Sequence, residues 1–366
     1  MTNKEKFKSV LNYEPNAKVP LAHFGYWHET VVKWKQEGHI NDDDFSNWDN
    51  ISDKLGFDFN FGDCYGGSTN LFPGFESKIL KELPDGSKHV LNWEGVIELQ
   101  KPGATSIPAE IGHTLTDRES WERDYLPRLK FSEDRYDFKA MEEYAKKSDD
   151  PIGLFCGSFY GTIRNWFGIV ELSYVAVEDE ELYDEVIHTV AELAYDVIKF
   201  GLERADSLGI KFDYCHFWED ICLKNGPLIN PNTFSEKIGP YYKKMTDLGK
   251  KHGINIFSLD CDGVIDLLIP TWFENGVNTM FPIEVGTWDA SIAPWREKYG
   301  KGLLGVGGMD KRVFAYDRNA VDAEIERLKP LIDLGGFIPC PDHRIAPDAE
   351  WDNVRYYCDK MHEVFS

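Results

Sequence analysis

Two carboxylates stand two residues apart at the end of an apolar run, in the segment Asp260-Cys261-Asp262. Residues two apart in a β-strand face the same side, so both carboxylates can point into one cavity while Cys261 points away. With a distant imidazole such as His343, they predict a divalent metal site, since zinc accepts mixed oxygen and nitrogen ligands. Two other interpretations stay open. One carboxylate can keep a proton because of its neighbour and act as a general acid, or either can cap the helix that follows.

A second group of ionisable residues lies at another strand end. His216 and Glu219 can supply a base and the carboxylate that orients it, or two further metal ligands. Alternatively, Glu219 forms a salt bridge with Lys224 or Arg312. His343 can be a metal ligand or a proton carrier, or a structural histidine bonded to a loop carbonyl. The predicted catalytic residues are Asp260, Asp262, His343, Glu219 and His216.

Aromatic and charged side chains at the other strand ends predict a substrate pocket with apolar walls and a few polar groups. The predicted substrate-binding residues are His23, Trp27, His28, Asp63, Phe159, Tyr160, Arg164, Trp218, Lys311 and Arg312. Lys311 and Arg312 follow paired glycines, which let a backbone approach a ligand closely, and these two cations could hold a carboxylate or a phosphate. The alternative is that they neutralise Asp310 and Glu284.

These side chains need a scaffold that brings many strand ends together. Short apolar runs alternate with helix-like stretches, as in repeated units of a β-strand and a crossover helix. The runs that we predict to be strands are Val19–Phe24, Phe57–Gly62, Ile152–Cys156, Phe212–Phe217, Ile254–Leu259, Thr279–Pro282, Leu303–Val306 and Phe337–Cys340. Eight such strands, with no glycine-rich dinucleotide motif after the first, predict an α/β fold of the (β/α)8 TIM barrel type. A doubly wound sheet is the rival fold.

The interval between the second and third predicted strands is too long for one helix. Within it, Ile79–Leu83, Lys88–Leu91 and Val96–Gln100 have the pattern of short strands, with a turn at Asp85-Gly86. We therefore predict a single TIM-barrel domain over residues 1–366, with a small antiparallel β insertion between strands 2 and 3 at 76–102.

The composition and net charge limit the kinds of molecule that this protein can bind. The 366 residues carry a formal net charge of −23, and so acidic a surface repels nucleic acid, anionic lipid and polyanionic substrates. Seven scattered cysteines are typical of reduced thiols, and the first residues contain no hydrophobic signal segment. We therefore expect a cytoplasmic protein that binds a small molecule. A homodimer is left open.

Five segments, taken in order, resemble the uroporphyrinogen decarboxylase superfamily. They are Phe7–Pro20, Glu219–Ile229, Asp260–Pro270, Gly307–Arg312 and Pro341–Asp348. The resemblance spans almost the whole chain and implies a (β/α)8 barrel. It also implies one of two chemistries. These are decarboxylation of a porphyrinogen without a cofactor, and methyl transfer between a small methylated compound and a corrinoid protein or a thiol, usually with zinc.

The sequence is nearer to the methyltransferase branch of this superfamily. The decarboxylases carry an arginine-rich substrate loop near the amino terminus, whereas Leu21–Glu29 contains no arginine. The methyltransferases carry His-x-Cys at the fifth strand end and Cys at the eighth, where this chain has Asp260, Asp262 and His343. The resemblance therefore implies zinc or another divalent metal held by oxygen and nitrogen ligands, with Glu219 or His216 as further ligands. Such a metal would polarise an ether oxygen.

The implied function is O-demethylation of a methoxylated aromatic compound, with the methyl group passing to the cobalt of a separate corrinoid (cobalamin-type) protein. One alternative is a cofactor-free decarboxylase of an aromatic or pyrrolic acid. In that enzyme Asp63 or Asp262 would donate the proton, and Arg164 or Arg312 would hold the carboxylate. The second alternative is a non-catalytic barrel that binds a ligand or a corrinoid.

Overall fold

A computed structural model describes residues 1–104, 107–146 and 149–365 of the chain. A β-strand forms within, or overlaps, each of the eight predicted runs. The strands of the described residues are β1 (Ala22–His23), β2 (Phe59–Asn60), β3 (Cys64–Tyr65), β4 (Lys78–Glu82), β5 (Lys88–Leu91), β6 (Val96–Gln100), β7 (Ala109–His113), β8 (Gly153–Phe155), β9 (Tyr214–Trp218), β10 (Cys222–Leu223), β11 (Gly226–Pro227), β12 (Phe257–Asp260), β13 (Thr279–Ile283), β14 (Leu304–Met309) and β15 (Phe337–Pro341).

Seven parallel strands form the main sheet, in the order β15-β14-β13-β12-β9-β8-β3. Strands β1 and β2 form a separate parallel pair, in which Ala22 lies opposite Phe59. Within the described residues the ladder does not continue from β1 to β15, so the closed eight-stranded barrel of the prediction is not found. The fold is a mixed α/β fold whose parallel sheet is compatible with a barrel.

Gly25 ends the first strand. Its φ of +83° turns the chain directly after β1, and its backbone N–H donates to Nδ1 of His23 (2.9 Å) instead of to a neighbouring strand. The first and eighth strand ends still meet beyond this point. The Ile345 N–H donates to the Gly25 carbonyl and the Trp27 N–H donates to the Ile345 carbonyl, each at 3.1 Å. We call this pair of hydrogen bonds the seam.

Two apolar clusters separate along the strands because side chains alternate. In β9, Tyr214 belongs to an inner cluster, whereas Cys215 and Phe217 belong to an outer cluster that packs against the helices. The inner cluster contains Ile338 of β15, and Cys64 of β3 packs against it, although β15 and β3 are the two ends of the strand order. The sheet must therefore curl, which is what makes it compatible with a barrel.

The first helix closes one end of the inner cluster. Helices of the described residues include α1 (Asn3–Leu11), α2 (His28–Gln36), α3 (Asp42–Ser46), α4 (Asp49–Leu55), α5 (Arg118–Ser120), α6 (Phe138–Ala145), α7 (Gly161–Phe167), α8 (Ile169–Glu178), α9 (Glu180–Ser207), α10 (Pro231–Lys237), α11 (Gly239–Lys251), α12 (Ile269–Glu274), α13 (Val285–Trp288), α14 (Ile292–Tyr299), α15 (Arg318–Ile332) and α16 (Trp351–Phe365). Phe7 and Val10 of α1 join the inner cluster, and the Val10 carbonyl accepts from the N–H of Gly336, just before β15. The helix thus lies at the amino ends of the strands, which leaves their carboxyl ends for the site.

An antiparallel sheet of four strands, β4-β5-β6-β7, lies in the segment for which the sequence predicts an insertion. Its fourth strand, Ala109–His113, extends beyond the predicted boundary at residue 102. His113 Nδ1 lies 3.0 Å from the Asn165 carbonyl of α7, so the sheet is held beside that helix. None of the helices described combines the length and apolar character that crossing a membrane requires.

Candidate functional site

A cavity of about 440 Å³ lies at the carboxyl ends of the parallel strands, where barrel-type folds place their active sites. Its walls are largely aromatic, and its ionisable groups come from three segments of the chain. The lining residues are Phe24, Trp27, Gly62, Ile107, Phe155, His216, Trp218, Asp220, Asp260, Asp262, His343 and Arg344. Six of the residues that the sequence predicts for the site therefore meet here: Trp27, His216, Trp218, Asp260, Asp262 and His343.

Asp262 and His343 form a pair within this cavity. The Asp262 Oδ2 atom lies 3.3 Å from His343 Nε2. The His343 ring stacks on the indole of Trp27, with centroids 5.6 Å apart and planes inclined by 19°, and meets the Phe24 ring edge-on at 5.4 Å. The other oxygen of Asp262, Oδ1, is buried and has no hydrogen-bond partner among the described residues. The pair is thus held by aromatic packing while one carboxylate oxygen stays uncommitted.

Asp260 has a different environment from Asp262. Strand β12 pairs with β9 so that Asp260 lies opposite Trp218, and the cavity wall adjoins both. Burial raises the pKa of the Asp260 carboxyl well above its usual range, and the nearby charges of Asp262 and Asp220 raise that pKa further, whereas Arg344 lowers it. Asp260 is therefore the carboxyl group of this cavity best placed to keep a proton.

Asp220 brings a third carboxyl group to the cavity on a strained backbone. Its φ of +47° is uncommon for a residue other than glycine. Arg164 stabilises this conformation, because its Nη2 atom donates to the Asp220 carbonyl (2.9 Å) and lies 3.1 Å from Oδ2. Arg164, predicted to bind substrate, is thus committed to an internal ion pair and does not line the cavity.

Arg344 is a cavity residue that is absent from the sequence prediction. It directly follows His343, is exposed, and lies over the rings of Phe24 and Trp27 at 5.9 and 5.7 Å from their centroids. It is the one arginine or lysine among the described residues that line this cavity. The sequence does contain a signal for this residue, because Arg344 is the only arginine between the eighth predicted strand and the start of α16.

His216 lies deep in the cavity wall as a neutral imidazole, because burial lowers its pKa to about 4. Its Nδ1 atom lies 2.7 Å from the Ser258 hydroxyl, and that hydroxyl donates to the Cys215 carbonyl at 3.2 Å. If the Ser258 proton is used in this way, Nδ1–H of His216 is the donor to Ser258 and Nε2 is the acceptor. His216 is thus positioned as a hydrogen-bond acceptor.

Glu219 is not in the cavity, although the sequence predicts a catalytic or metal-binding role for it. It is fully buried on the opposite side of the strand end, and burial raises its pKa. Its carboxylate accepts hydrogen bonds from the Ser158 hydroxyl (2.9 Å), the Tyr242 hydroxyl, and the backbone N–H groups of Phe159 (2.8 Å), Tyr160 (2.9 Å) and Gly161 (2.6 Å). Because Gly161 begins α7, the carboxylate stabilises the amino terminus of that helix. The predicted salt bridge to Lys224 or Arg312 is also not found in the described residues.

Besides Arg164, five more of the predicted substrate-binding residues lie outside this cavity. His23 is buried, and its nitrogens contact the Gly25 N–H and the Ser52 hydroxyl (3.0 Å), while Asp63 lines a separate cavity. His28 is exposed against the ring of Phe45. Phe159 and Tyr160 belong to the outer apolar cluster. Sequence position alone could not separate these residues from the cavity wall.

Lys311 and Arg312 are both held in internal ion pairs. Lys311 Nζ lies 3.2 Å from Oδ1 of the buried Asp342, and Arg312 contacts both oxygens of Asp310, at 2.7 and 2.8 Å. Neither lines the cavity. The neutralisation of Asp310 therefore holds, whereas Glu284 instead accepts from the Gly263 N–H (2.6 Å) and the Thr287 hydroxyl (2.7 Å).

The side chains as placed do not fit a resident metal ion. In residues 1–104, 107–146 and 149–365, no three His, Cys, Asp or Glu side chains are close enough together to hold one. Asp262 and His343 meet, but Glu219 is saturated by donors, and no third ligating side chain of those residues joins the pair.

The buried His23 predicts a pH-dependent stability. Burial lowers its pKa to about 3, from the ~6.5 of an exposed histidine. Between these two values the unfolded chain binds a proton at His23 that the folded chain does not bind. The stability that neutral His23 contributes above pH ~6.5 is therefore lost as the pH falls. We expect His23 to contribute ~2 kcal/mol of the stability lost between pH 7 and pH 5. Urea denaturation at the two pH values gives the free energy of unfolding at each. His23→Gln should reduce the difference between these two free energies by this amount, whereas His188→Gln, at an exposed histidine, should leave the difference unchanged.

Comparison with known proteins shows that this chain shares its fold with a solved structure. No family model matches the chain, and no curated protein matches it by sequence. A solved methyltransferase from Methanosarcina mazei is 15% identical, with a TM-score of 0.62 over 100% of both chains. This likeness fits the fold that the sequence resemblance implies, without distinguishing the branches of that superfamily.

Two methionine synthase structures are more distant. A B12-independent methionine synthase from a Shewanella species, in complex with selenomethionine, is 9% identical, with a TM-score of 0.48 over 95% of this chain and 98% of that one. A putative vitamin-B12 independent methionine synthase from Listeria monocytogenes is 15% identical, with a TM-score of 0.37 over 62% of this chain and 70% of that one. These TM-scores are too low to establish a shared fold.

Proposed function

We propose that this chain transfers the methyl group of a methoxylated aromatic compound to an acceptor on a separate corrinoid protein. The observation that carries the proposal is the position of the Asp260 carboxyl group, between aromatic walls and beside the Asp262–His343 pair. The shared fold with a methyltransferase supports methyl transfer in general.

The chemistry requires a proton at the departing oxygen. The acceptor's nucleophile supplies the electron pair for the new bond to the methyl carbon, and the pair of the broken carbon–oxygen bond stays on the aryl oxygen. An aryl oxide is a poor leaving group unless it is protonated as the bond breaks. Asp260 can donate that proton, because its burial and the neighbouring carboxylates disfavour its charged form.

The other cavity residues orient the substrate and limit water. Trp27, Phe24, Phe155 and Trp218 present apolar surfaces that suit a flat ring. The Asp262 carboxylate keeps His343 against Trp27, and the negative charge of Asp262 favours the protonated form of Asp260.

Turnover with a simple aryl methyl ether tests the proposal. We expect the purified protein, given 4-methoxybenzoate and free cobalamin reduced to the cob(I) state, to release 4-hydroxybenzoate, measured by chromatography, while the cobalamin spectrum shifts on methylation. A reaction without protein is the control. The absence of phenol formation across a panel of aryl methyl ethers would contradict the proposal.

A chelator experiment separates the acid-assisted reaction from a metal-assisted one. Because the described residues do not place three ligands together, we expect demethylation to keep its rate after dialysis against EDTA. Metal content is measured on the same samples. Loss of activity in EDTA, with recovery on adding one equivalent of zinc, would instead support the metal site of Asp260, Asp262 and His343 that the sequence predicts.

One observation favours a second candidate, decarboxylation of an aromatic acid. The charge of Arg344 acts on Asp260, so that a cation and a proton donor adjoin the same cavity. Release of carbon dioxide from 4-methoxybenzoate, without formation of 4-hydroxybenzoate, would favour this reaction.

A further inference from the structure

The cations near the carboxyl ends of the strands differ in whether they are already paired. Arg164 is bound to Asp220, Lys311 to Asp342, and Arg312 to Asp310. Arg344 forms no ion pair or hydrogen bond within the described residues, and its guanidinium lies over the rings of Phe24 and Trp27. A guanidinium held on aromatic rings keeps its in-plane donors free for a carboxylate.

We propose that Arg344 binds a single carboxylate on the aromatic substrate, which makes the substrate a methoxylated aromatic monoacid. This inference rests on the proposed function, because it identifies the substrate class of the same cavity. Among the described lining residues there is one guanidinium and no ammonium group, so the cavity has a partner for one carboxylate.

The remaining charges of the cavity support the limit of one carboxylate on the substrate. Asp220 faces Arg164, and Asp262 faces His343, so these two carboxylates have cationic or hydrogen-bonding partners of their own. A second carboxylate on the ligand would meet Asp220 or Asp262 without a compensating cation. Repulsion between close like charges in a partly buried site would therefore disfavour diacids.

The position of Arg344 also supports it. The guanidinium lies over Trp27, and His343 stacks on that same indole, so an aromatic ring near Trp27 would bring a ring substituent to Arg344. Arg344 is exposed whereas Asp260 is only partly accessible, which places the cation nearer the opening. A carboxylate at Arg344 and a methoxy group near Asp260 would then occupy opposite ends of one ring.

A competing explanation is that Arg344 acts only on Asp260, whose pKa its positive charge lowers. The two roles differ in how they depend on the ligand. Loss of an effect on Asp260 would change the binding of neutral and anionic ligands alike, whereas loss of a carboxylate partner would weaken the binding of the anionic ligand alone.

Calorimetric binding of two matched probes, 4-methoxybenzoate and the neutral 4-methoxybenzamide, tests the proposal. We expect Arg344→Gln to weaken 4-methoxybenzoate binding by ~10- to 100-fold, the usual effect of losing a charge-assisted pair, and to leave the amide within about twofold. Arg344→Lys should weaken 4-methoxybenzoate binding less than Arg344→Gln does, because lysine keeps the positive charge. Arg318→Gln is the matched control, since Arg318 is exposed and also lies over an aromatic ring, that of Tyr356, outside the cavity.

Each outcome decides the assignment. An equal loss for both probes would mean that Arg344 acts only on Asp260, and unchanged 4-methoxybenzoate binding, or no binding of it by the unaltered protein, would overturn the proposal. The diacid 4-methoxyphthalate should bind more weakly than the monoacid, and tighter binding would contradict the limit of one carboxylate. A different outcome would reject the proposed function alone. If 4-methoxybenzoate binds in a way that depends on Arg344 but is not demethylated, this inference is retained and methyl transfer is rejected.

Discussion

Replacing Asp260 with asparagine is expected to lower kcat for demethylation by ~10²- to 10⁴-fold, the usual contribution of a positioned general acid. Asparagine keeps the shape of the side chain but cannot give a proton to the departing oxygen. KM is expected to change little, because the aromatic walls that hold the ring are intact. Initial rates of phenol formation at saturating substrate measure this effect. The rate of the unaltered protein should fall as rising pH removes the Asp260 proton, whose pKa lies above its usual range.

The matched control is Asp333→Asn, at an exposed aspartate near the amino end of β15, which should retain full activity. An Asp260→Asn variant with a kcat within about twofold of the unaltered protein would remove Asp260 from the mechanism. A large loss at Asp260 that persists at every pH, together with zinc bound to the unaltered protein, would point to ligation of a metal instead.

The second large effect is on folding. Glu219→Ala should lower the free energy of unfolding by ~3–5 kcal/mol, because it leaves buried backbone N–H groups at the start of α7 without an acceptor. Glu219→Gln should also destabilise the protein, since its amide would bring a donor against other donors. Chemical denaturation followed by circular dichroism measures both. The exposed Glu181→Gln serves as the control.

The result also decides between the two assignments of Glu219. A variant that is fully stable but inactive would restore the catalytic or metal-binding role predicted from the sequence. A variant that is unstable, yet active in proportion to its folded fraction, would establish that the carboxylate supports the fold around Ser158 and Gly161.

Strand alternation accounts for much of what the sequence could predict about the site. His216 and Trp218 share the parity of Asp220, and Asp260 shares that of Asp262, and all five line the cavity. Glu219 has the opposite parity and points away. Applied strictly to the strand ends, the same rule separates Glu219 from His216 and Trp218 by residue number alone.

The pairing of cations could not be predicted in the same way. Lys311 and Arg312 follow a strand end as Arg344 does, but long flexible side chains reach partners that are distant in sequence. Lys311 meets Asp342 because β14 and β15 are neighbours, and Arg312 folds back on Asp310. Only the three-dimensional arrangement shows that Arg344 remains without an ionic partner among the described residues.

The barrel prediction was limited by a backbone detail. All eight apolar runs contribute strands, but strand pairing depends on a few φ angles that periodicity does not report. The left-handed Gly25 ends β1 after two residues, and within the described residues no ladder joins the first and eighth strands.

The seam has a consequence for the order of events during folding. Its residues Trp27 and Ile345 are separated by most of the chain, as are Trp27 and His343 beside it, so these contacts carry a large loop-closure entropy and should form after the local β–α units. A ligand enclosed by both residues can then stabilise only the completed molecule. It should slow unfolding without accelerating folding, and a nascent chain on the ribosome should be unable to bind it until His343 has emerged.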